Sequence, residues 1–588
     1  MTMSGSTPHR SRATILFRGL LVIMAVFVGR LFYLQVIEHR HYSEEAKNIQ
    51  VQPLVIVPKR GEIYAKDGDG VVPLVLNEKV YTLFADPTEV RNPTETASAL
   101  RSIVGGELEN NAESLLRSDD ASVRYRILAR HVSQTQADLI SARQLPGIGL
   151  QQTSRRVYPE GSLAAQTLGF VDATGKGQYG IEGALNTRLA GKPGLLETVT
   201  DVSKIPLTIG ADDIDTPAVN GDSVVLTIDR TVQLKAEEIL KAGLEKVKAK
   251  TGSLLIMNPH DGSVMAMASY PTYDPSTYST VEDYSLFQNR IVSAPYENGS
   301  VVKTLVVAAG IDSGAITTNS TFSDPTGCTK VEDRMICNIP EDPKLMNATM
   351  EDLLRYSLNT GSVFVARQMG GGTLNKTARD KLYHYFHDQF RFGQLTGIEQ
   401  DGESGGIIIS PNEQEGNNVR YSNMVFGQGM EQTMVQTTAA FISVINGGTY
   451  YQPRLVGGVR HDDGTITNKE PVVLNPHVVS PQAAAQTTQL IVQGRKKGSF
   501  GYLDPPGYMI GGKTGTAQII DPKTGTYIYE DTIGSYLGFG GVSRPEYAIM
   551  IRVDDSKLPG NHGSAAAAPI FNDMNSWMLD YLQLKPAG

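Results

Sequence analysis

Residues 299–311 read GSVVKTLVVAAGI, and this stretch decides the fold and chemistry predicted for the second half of the chain. Ser300 and Lys303 open an apolar run that predicts a helix. Residues three apart share one helix face, so the Lys303 amine can lie beside the Ser300 hydroxyl. A lysine desolvated among apolar side chains can activate a serine nucleophile, and the helix N-terminus would favour an oxyanion there. The four-residue pattern alone is weak, because it arises by chance roughly twice in a chain this long.

A second polar pair, Ser357 and Asn359, lies in LLRYSLNTGS at residues 353–362. An asparagine side chain both donates and accepts hydrogen bonds to a peptide, and Ser357 could relay a proton between Lys303 and a leaving group. Serine and asparagine also favour helix ends and turns. By itself, the pair therefore indicates no more than a helix end.

The third motif is GGKTGTAQ at residues 511–518, which follows the apolar residues YMI. A strand this rich in glycine does not fill a core, and it allows another backbone to approach closely. Lys513, Thr514 and Thr516, around Gly515, would offer a cation and hydroxyls to a substrate carboxylate. A phosphate-binding loop is the alternative, because GYMIGGKT at residues 507–514 fits its spacing, but ATP is absent outside the cytoplasm, where this segment is predicted to lie.

The composition excludes some classes of function. A formal net charge of -9 gives no general reason to expect nucleic-acid binding, which normally needs a basic face. Cys328 and Cys337 are the two cysteines, too few for a structural zinc site. Outside the cytoplasm they could form a disulfide, and two unpaired thiols remain the alternative.

An apolar segment near the N-terminus predicts a membrane anchor. Residues 14–37 read TILFRGLLVIMAVFVGRLFYLQVI, which is long enough to cross a bilayer as a helix, with Arg18 and Arg30 able to snorkel toward headgroups. A cleaved signal peptide is disfavoured, because no small-residue cleavage site follows. Arg10 and Arg12 place the tail, residues 1–13, in the cytoplasm by the positive-inside rule. The remainder is then periplasmic or extracellular, where ATP and NAD(P)H are absent.

Two domains are predicted after the anchor. Residues 45–215 alternate short β-like runs with polar helical stretches and contain no catalytic cluster. Residues 221–585 begin with a strand that ends at Asp229 and an amphipathic helix containing Val232, Ala236, Ile239 and Leu240. A hairpin joined by the turn HDG follows, and another strand pair comes near the C-terminus. The pattern predicts an α+β fold, an antiparallel sheet flanked by helices.

Ser-x-x-Lys, Ser-x-Asn and Lys-Thr-Gly, in this order, are a signature shared by penicillin-binding proteins and class A β-lactamases. The chain resembles class B penicillin-binding proteins along almost its whole length. Segments that carry the resemblance are RLFYLQV, RGEI, RVYPEGSLAAQTLGFV, GIEGALNTRLAGKPG, NRIVSAPYENGSVVK, TGIEQDGESG and FGQGMEQTMVQ. The pedestal segments resemble the septal, FtsI-type branch more than the elongation branch. Asn298 and Val301 stand where proline and threonine are more usual in the family, and residues 65–68 also depart from its common pattern.

The resemblance implies a serine D,D-transpeptidase with a non-catalytic, dimerisation-like pedestal and no cofactor or metal. Ser300 would attack the D-Ala-D-Ala carbonyl of a peptidoglycan stem peptide, with Lys303 as general base. Ser357 and Asn359 would support proton transfer, while Lys513, Thr514, Gly515 and Thr516 would form the carboxylate-binding strand. Backbone N–H groups of Ser300 and Thr516 would form the oxyanion hole. β-Lactams would acylate Ser300.

Several alternatives share these residues. An elongation-type transpeptidase and a D,D-carboxypeptidase carry the same motifs, and a scaffold that activates a glycan polymerase would need none of the chemistry. A β-lactamase or β-lactam sensor fits poorly with the long pedestal. The resemblance also implies partners in the cell membrane, namely a SEDS-type glycosyltransferase and other cell-division proteins, with residues near 50–215 as the contact region.

Overall fold

A computed structural model describes residues 12–42, 51–117, 123–199, 214–520, 527–556 and 563–587. The chain forms two compact units. The first comprises residues 1–59 and 191–221, and the second comprises residues 60–190 and 222–588. Residues 1–11 of the predicted cytoplasmic tail, including Arg10, lie outside the described residues.

The first unit contains an apolar helix and a small sheet. The helix runs over Arg12–Phe32 and continues as a π-helical turn over Tyr33–Ile37, with none of its residues buried. In the described part of the chain it is the one helix long and apolar enough to cross a membrane, and it contains the predicted span. The sheet has three antiparallel strands, which are Val51–Ile56, Gly194–Val199 and Ile214–Thr216.

The second unit contains a seven-stranded sheet that mixes sequence from both predicted domains. Strand Ser223–Asp229 pairs in parallel with Ile63–Asp67 and antiparallel with Val456–Arg460. Its five central residues are buried, as expected for an apolar central strand. The other strands of this sheet are Gly70–Ala85, Arg126–Val132, Ile148–Val157 and Ile466–Asn468. Helices near it are Pro93–Val104, Ala112–Leu115 and Gln134–Ala142.

A buried ion cluster joins three of the pedestal segments within the second unit. The Glu182 side chain is fully buried and accepts hydrogen bonds from Arg60 Nε and Arg156 Nε, each over 2.8 Å. Asn77 accepts from Arg156 Nη1 over 2.7 Å and donates to the Arg60 carbonyl over 2.6 Å. The segments RGEI, RVYPEG and GIEG therefore meet at one carboxylate.

A five-stranded antiparallel sheet forms the centre of the remaining part of the second unit. Its spatial order is β2-β1-β5-β4-β3, where the strands are Thr251–Met257 (β1), Val264–Tyr270 (β2), Met509–Ile520 (β3), Tyr527–Gly541 (β4) and Pro545–Asp554 (β5). Strands β1 and β2 form the hairpin predicted at HDG, and β4 pairs with β5 as expected.

Helices cover both faces of this sheet. Seven of them matter for the site and its support: Arg230–Val247 (α1), Lys303–Asp312 (α2), Met350–Tyr356 (α3), Asn359–Met369 (α4), Met434–Ile445 (α5), Pro481–Lys496 (α6) and Gly563–Tyr581 (α7). Leu254 and Ile256 of β1 pack with α1 and α7, whereas Leu255 and Met257 face the core that contains α2 and α5. This period of two places one helical layer on each face. The predicted α+β class is confirmed.

Further elements connect these layers. The short helices are Ala165–Leu168, Gly180–Ala184, Asn186–Ala190, Arg290–Ser293, Lys376–Tyr383 and Asn418–Met424. The two-stranded pairs are Phe170–Val171 with Gly177–Gln178, Thr321–Asp324 with Leu345–Thr349, Cys328–Val331 with Arg334–Cys337, and Tyr450–Tyr451 with Val473–Asn475. The third pair matters for the site.

Candidate active site

The segment that carries Ser300 begins as a 3-10 turn rather than as the predicted α-helix. The turn covers Gly299–Val302, and α2 starts at Lys303. Val301 and Val302 are buried and anchor the turn, whereas Ser300 is half-buried and lines a groove. Helix α2 is buried on nearly all sides, which matches a sequence that is apolar all round.

Lys303 lies at the centre of the polar contacts. Its side chain is fully buried, and Nζ donates to Asn359 Oδ1 over 2.7 Å, to Ser357 Oγ over 3.2 Å and to the Ser357 carbonyl. Burial lowers the pKa of Lys303 well below its usual range, and the nearby positive charge of Lys513 lowers it further. This amine is therefore suited to accept a proton near neutral pH.

Ser357 and Asn359 are both a helix junction and part of this site. Ser357 ends α3 with φ 61°, in the left-handed region, and Asn359 is the first residue of α4. Leu358 between them is fully buried, which turns its two polar neighbours toward Lys303. The pair is both a helix end and a polar site, because the helix break itself turns Ser357 and Asn359 toward Lys303.

A disulfide-linked hairpin supports Asn359 from the other side. Asn359 Nδ2 donates to the carbonyl of Cys337 over 2.9 Å. Cys337 is joined to Cys328 in a disulfide across the strand pair Cys328–Val331 and Arg334–Cys337. The hairpin thus fixes Asn359 Nδ2, while Asn359 Oδ1 accepts the hydrogen bond from Lys303.

Strand β3 passes directly beside the Ser300 turn. A Cβ atom at Gly515 would lie 2.7 Å from the carbonyl oxygen of Asn298, and one at Gly299 would lie 2.5 Å from the carbonyl oxygen of Thr516. Both distances are too short for a real side chain, so the two backbones need glycine where they approach. Ser300 and Thr516, the predicted oxyanion-hole residues, are therefore brought side by side.

Lys513 extends from β3 into the same region. Its side chain is 3% exposed, and Nζ donates to the carbonyl and to Oγ1 of Thr514 over 3.0 and 3.1 Å. Burial lowers the pKa of Lys513 to about 7. Thr514 is half-buried and Thr516 is exposed, so both hydroxyls are accessible to a ligand.

One groove, with a volume of about 580 Å³, collects most of the predicted residues. Those that line it are Ser300, Ser357, Asn359, Lys513, Thr514 and Thr516. Lys303 contacts two of them from beneath, and Gly515 is buried under the Ser300 turn. The groove can hold an extended peptide with a carbonyl at Ser300 and a carboxylate at Lys513.

Several lining residues escaped the sequence analysis. Among them are Asp342, Arg355, Tyr356, Phe426, Gln428, Arg495 and Phe500. Phe426 and Gln428 belong to the segment FGQG, whose resemblance to the family was the sequence signal for a role at the site. Asp342 lies in a loop with no motif and had no signal in the sequence. Among the described residues, no group of three or more histidine, cysteine or acidic side chains could hold a metal ion.

Comparison with known families agrees with this geometry. Residues 252–576, more than half of the chain, match the family described as penicillin binding protein transpeptidase domain. The chain belongs to this family. Residues 55–226 of this penicillin-binding protein also match the penicillin-binding protein dimerisation domain. The predicted family and the predicted transpeptidase are confirmed.

Individual relatives of this penicillin-binding protein cover nearly all of it. Stage V sporulation protein D of Bacillus subtilis is 29% identical, over 100% of this chain and 88% of the relative. The peptidoglycan D,D-transpeptidase FtsI of Escherichia coli is 26% identical, over 98% of this chain and 92% of the relative. Penicillin-binding protein 2X of Streptococcus thermophilus shares the fold, with a TM-score of 0.71 and 24% identity over 89% of this chain and 80% of that structure.

Proposed function

We propose that this protein is a membrane-anchored D,D-transpeptidase that cross-links peptidoglycan stem peptides through an acyl-enzyme on Ser300. One observation carries the proposal: Lys303, fully buried with a lowered pKa, contacts Ser357 and Asn359 in the groove that also contains Ser300 and Lys513. A nucleophile, a base and a cationic carboxylate site thus surround one space.

Acylation follows from these positions. Neutral Lys303 takes the Ser300 proton as Oγ attacks the penultimate D-Ala carbonyl, and backbone N–H groups of Ser300 and Thr516 stabilise the oxyanion. When the peptide C–N bond breaks, the proton passes from Lys303 through Ser357 to the departing D-Ala nitrogen. Lys513 and Thr514 hold the carboxylate of the terminal residue throughout, so the scissile bond lies over Ser300.

The second half-reaction transfers the acyl group. The amine of another stem peptide attacks the ester carbonyl, its proton goes to Lys303, and Lys303 returns a proton to Ser300 Oγ as the ester bond breaks. β-Lactams would acylate the same serine but leave no D-Ala to depart, so the adduct would persist.

A direct test measures both products of the reaction. The full-length protein in detergent should release D-Ala from a D-Ala-D-Ala pentapeptide donor and, with an amine-bearing acceptor peptide, form a cross-linked dimer. Ser300→Ala should abolish both products, whereas Ser313→Ala, at the far end of α2, should retain them. D-Ala release without any dimer would favour the carboxypeptidase, since water would then be the acceptor. Absence of both in the wild type would leave the polymerase-activating scaffold.

The resemblance of the pedestal segments to the FtsI-type branch supports a septal role, and the name of the Escherichia coli relative agrees. We further propose a cytoplasmic N-terminus with both domains outside the cytoplasm. Labelling of a cysteine introduced at residue 2, with a reagent that cannot cross the membrane, would test this orientation. Labelling of this cysteine from outside in intact cells would contradict it.

The pedestal, proposed as residues 45–215, would contact a SEDS-type membrane glycosyltransferase and other cell-division proteins. The proposal predicts that deletion of these residues lowers the activity of the co-reconstituted polymerase. Unchanged polymerisation would contradict the contact without affecting the assignment of Ser300.

A further inference from the structure

The charges that line the groove are unevenly distributed. Among the described lining residues, Asp342 is the one acid, whereas Arg355, Arg495 and Lys513 are basic. The reaction requires two charged groups of opposite sign to enter: the carboxylate of the donor and the amine of the acceptor. Lys513 suits the carboxylate, which leaves the amine to be accounted for.

Among the described residues, the Asp342 carboxylate forms no direct ion pair. In the part of the chain that the structure describes, no lysine or arginine nitrogen forms an ion pair with its carboxylate, and its backbone N–H donates to the Ile339 carbonyl over 3.1 Å. Arg495 of the same groove, by contrast, is paired with Asp504 over 2.5 Å. The half-buried Asp342 carboxylate can therefore accept a cation from a ligand.

The Asp342 carboxylate interacts electrostatically with Lys303, the proposed base. The positive charge of Lys303 lowers the pKa of Asp342 more than that of Lys513 does, although burial raises this pKa overall. The lowered pKa of Lys303 leaves this amine neutral when it acts as the base, and Lys513 Nζ donates to Thr514 rather than to Asp342, so Asp342 is available to a further cation. An amine held here would share the groove with Ser357 and Asn359, which contact Lys303, the residue that must take its proton.

We propose that Asp342 is a specificity-determining residue that binds the cationic amine of the acceptor stem peptide beside the acyl-enzyme. The inference rests on the transpeptidase function proposed above. The carboxylate holds the ammonium group in the groove, and the ammonium gives one proton to water. The free amine then attacks the ester carbonyl: the C–N bond forms, the second proton passes to neutral Lys303, and Lys303 returns it to Ser300 Oγ as the C–O bond breaks.

Partitioning of the acyl-enzyme tests this role. Asp342→Asn keeps the shape of the side chain and removes its charge, and Glu341→Gln is a matched control on an exposed neighbour that does not line the groove. With a D-Ala-D-Ala pentapeptide as donor, the ratio of amide product to hydrolysed product is measured against the concentration of an amine-bearing acceptor peptide. The ratio does not depend on the rate of acylation.

We expect Asp342→Asn to lower this ratio about tenfold for the amine acceptor, through a higher half-saturating acceptor concentration, and Glu341→Gln to leave it at the wild-type value. With hydroxylamine, which is uncharged at neutral pH, the ratio should change less than twofold in both variants. An unchanged ratio for the amine, or an equal fall for amine and hydroxylamine, would overturn the assignment of Asp342. Failure of the wild type to form any acyl-enzyme would instead contradict the proposed function.

Discussion

Gly299 and Thr516 approach so closely that a Cβ atom on Gly299 would lie 2.5 Å from the Thr516 carbonyl oxygen. Gly299 also has φ 63°, in the left-handed region that favours glycine. This contact sets the separation of the nucleophile turn from strand β3, and hence the geometry of the Ser300 and Thr516 N–H groups. The proposed oxyanion site therefore depends on this close approach of two backbones.

Gly299→Ala should separate the two backbones and lower the rate of penicillin acylation at least tenfold. Gly314→Ala is a matched control, because Gly314 has φ 69° with open space around it. Both variants should lose roughly 1–2 kcal/mol from the left-handed backbone conformation, but the control should keep its acylation rate. Equal acylation of both variants by fluorescent penicillin, with thermal unfolding measured in parallel, would show that the contact is not needed.

The pH dependence of acylation should be bell-shaped. Deprotonation of Lys303 supplies the base, so the rate rises with pH through its lowered pKa. Lys513 must be cationic to bind a carboxylate, so the rate falls as pH rises through its pKa of about 7. Lys513→Arg keeps the cation, and its falling limb should move to higher pH. A falling limb that stays in place in this variant would assign it to another group.

The buried Lys513 should also make folding stability depend on pH. Its pKa is about 7 in the folded protein and about 10.4 when unfolded, so the unfolded state binds more protons between these values. Stability is then lost as pH falls toward 7 and recovered as pH rises. Lys513→Met should remove this contribution, so the free energy of unfolding of the wild type should gain up to about 1.4 kcal/mol per pH unit relative to the variant. If the free energies of unfolding of the wild type and of Lys513→Met changed in parallel from pH 7 to 9, the lowered pKa of Lys513 would be contradicted.

Reduction of the disulfide should weaken the site through Asn359. The carbonyl of Cys337 accepts from Asn359 Nδ2 over 2.9 Å, and a loosened hairpin would release the amide that Lys303 contacts. We expect dithiothreitol to lower the acylation rate roughly tenfold. The double variant Cys328→Ser/Cys337→Ser should show the same low rate without reductant and no further response to it. A double variant with the wild-type acylation rate would show that the disulfide-linked hairpin does not support the site.

The Glu182 cluster supplies a stability prediction outside the groove. Glu182→Gln leaves the charges of Arg60 and Arg156 buried without their carboxylate, which should cost about 3–5 kcal/mol. The exposed pair Arg155–Glu78 is the control, and Glu78→Gln should cost less than about 1 kcal/mol. Unfolding in detergent would compare the two, and similar losses would mean that burial does not govern the effect.

Local sequence predicted much of this structure, because several segments form their elements from short-range patterns. The alternation around HDG indicated the β1–β2 hairpin, and the glycines of 511–518 indicated a close backbone approach. Strand Ser223–Asp229 was predicted as a strand, but not its pairing with Ile63–Asp67, since register between distant segments leaves no local pattern.

The site likewise combines residues that belong to a local sequence motif with residues that only tertiary packing brings to the groove. Ser300, Lys303 and Lys513 were identifiable because each carries a residue type and spacing that the chemistry requires. Asp342 was not, because it lies in a loop whose sequence has no periodicity, and its position beside the groove arises from tertiary packing alone. The 3-10 turn at Gly299–Val302 likewise packs against a strand that is distant in sequence.

We propose that Ser300 is the covalent nucleophile of this groove. Fluorescent penicillin should label the full-length protein, and mass spectrometry of the digested adduct should place the added mass on Ser300, with no labelling of Ser300→Ala and full labelling of Ser313→Ala. An adduct on another residue, or labelling that survives in Ser300→Ala, would contradict this assignment of the nucleophile.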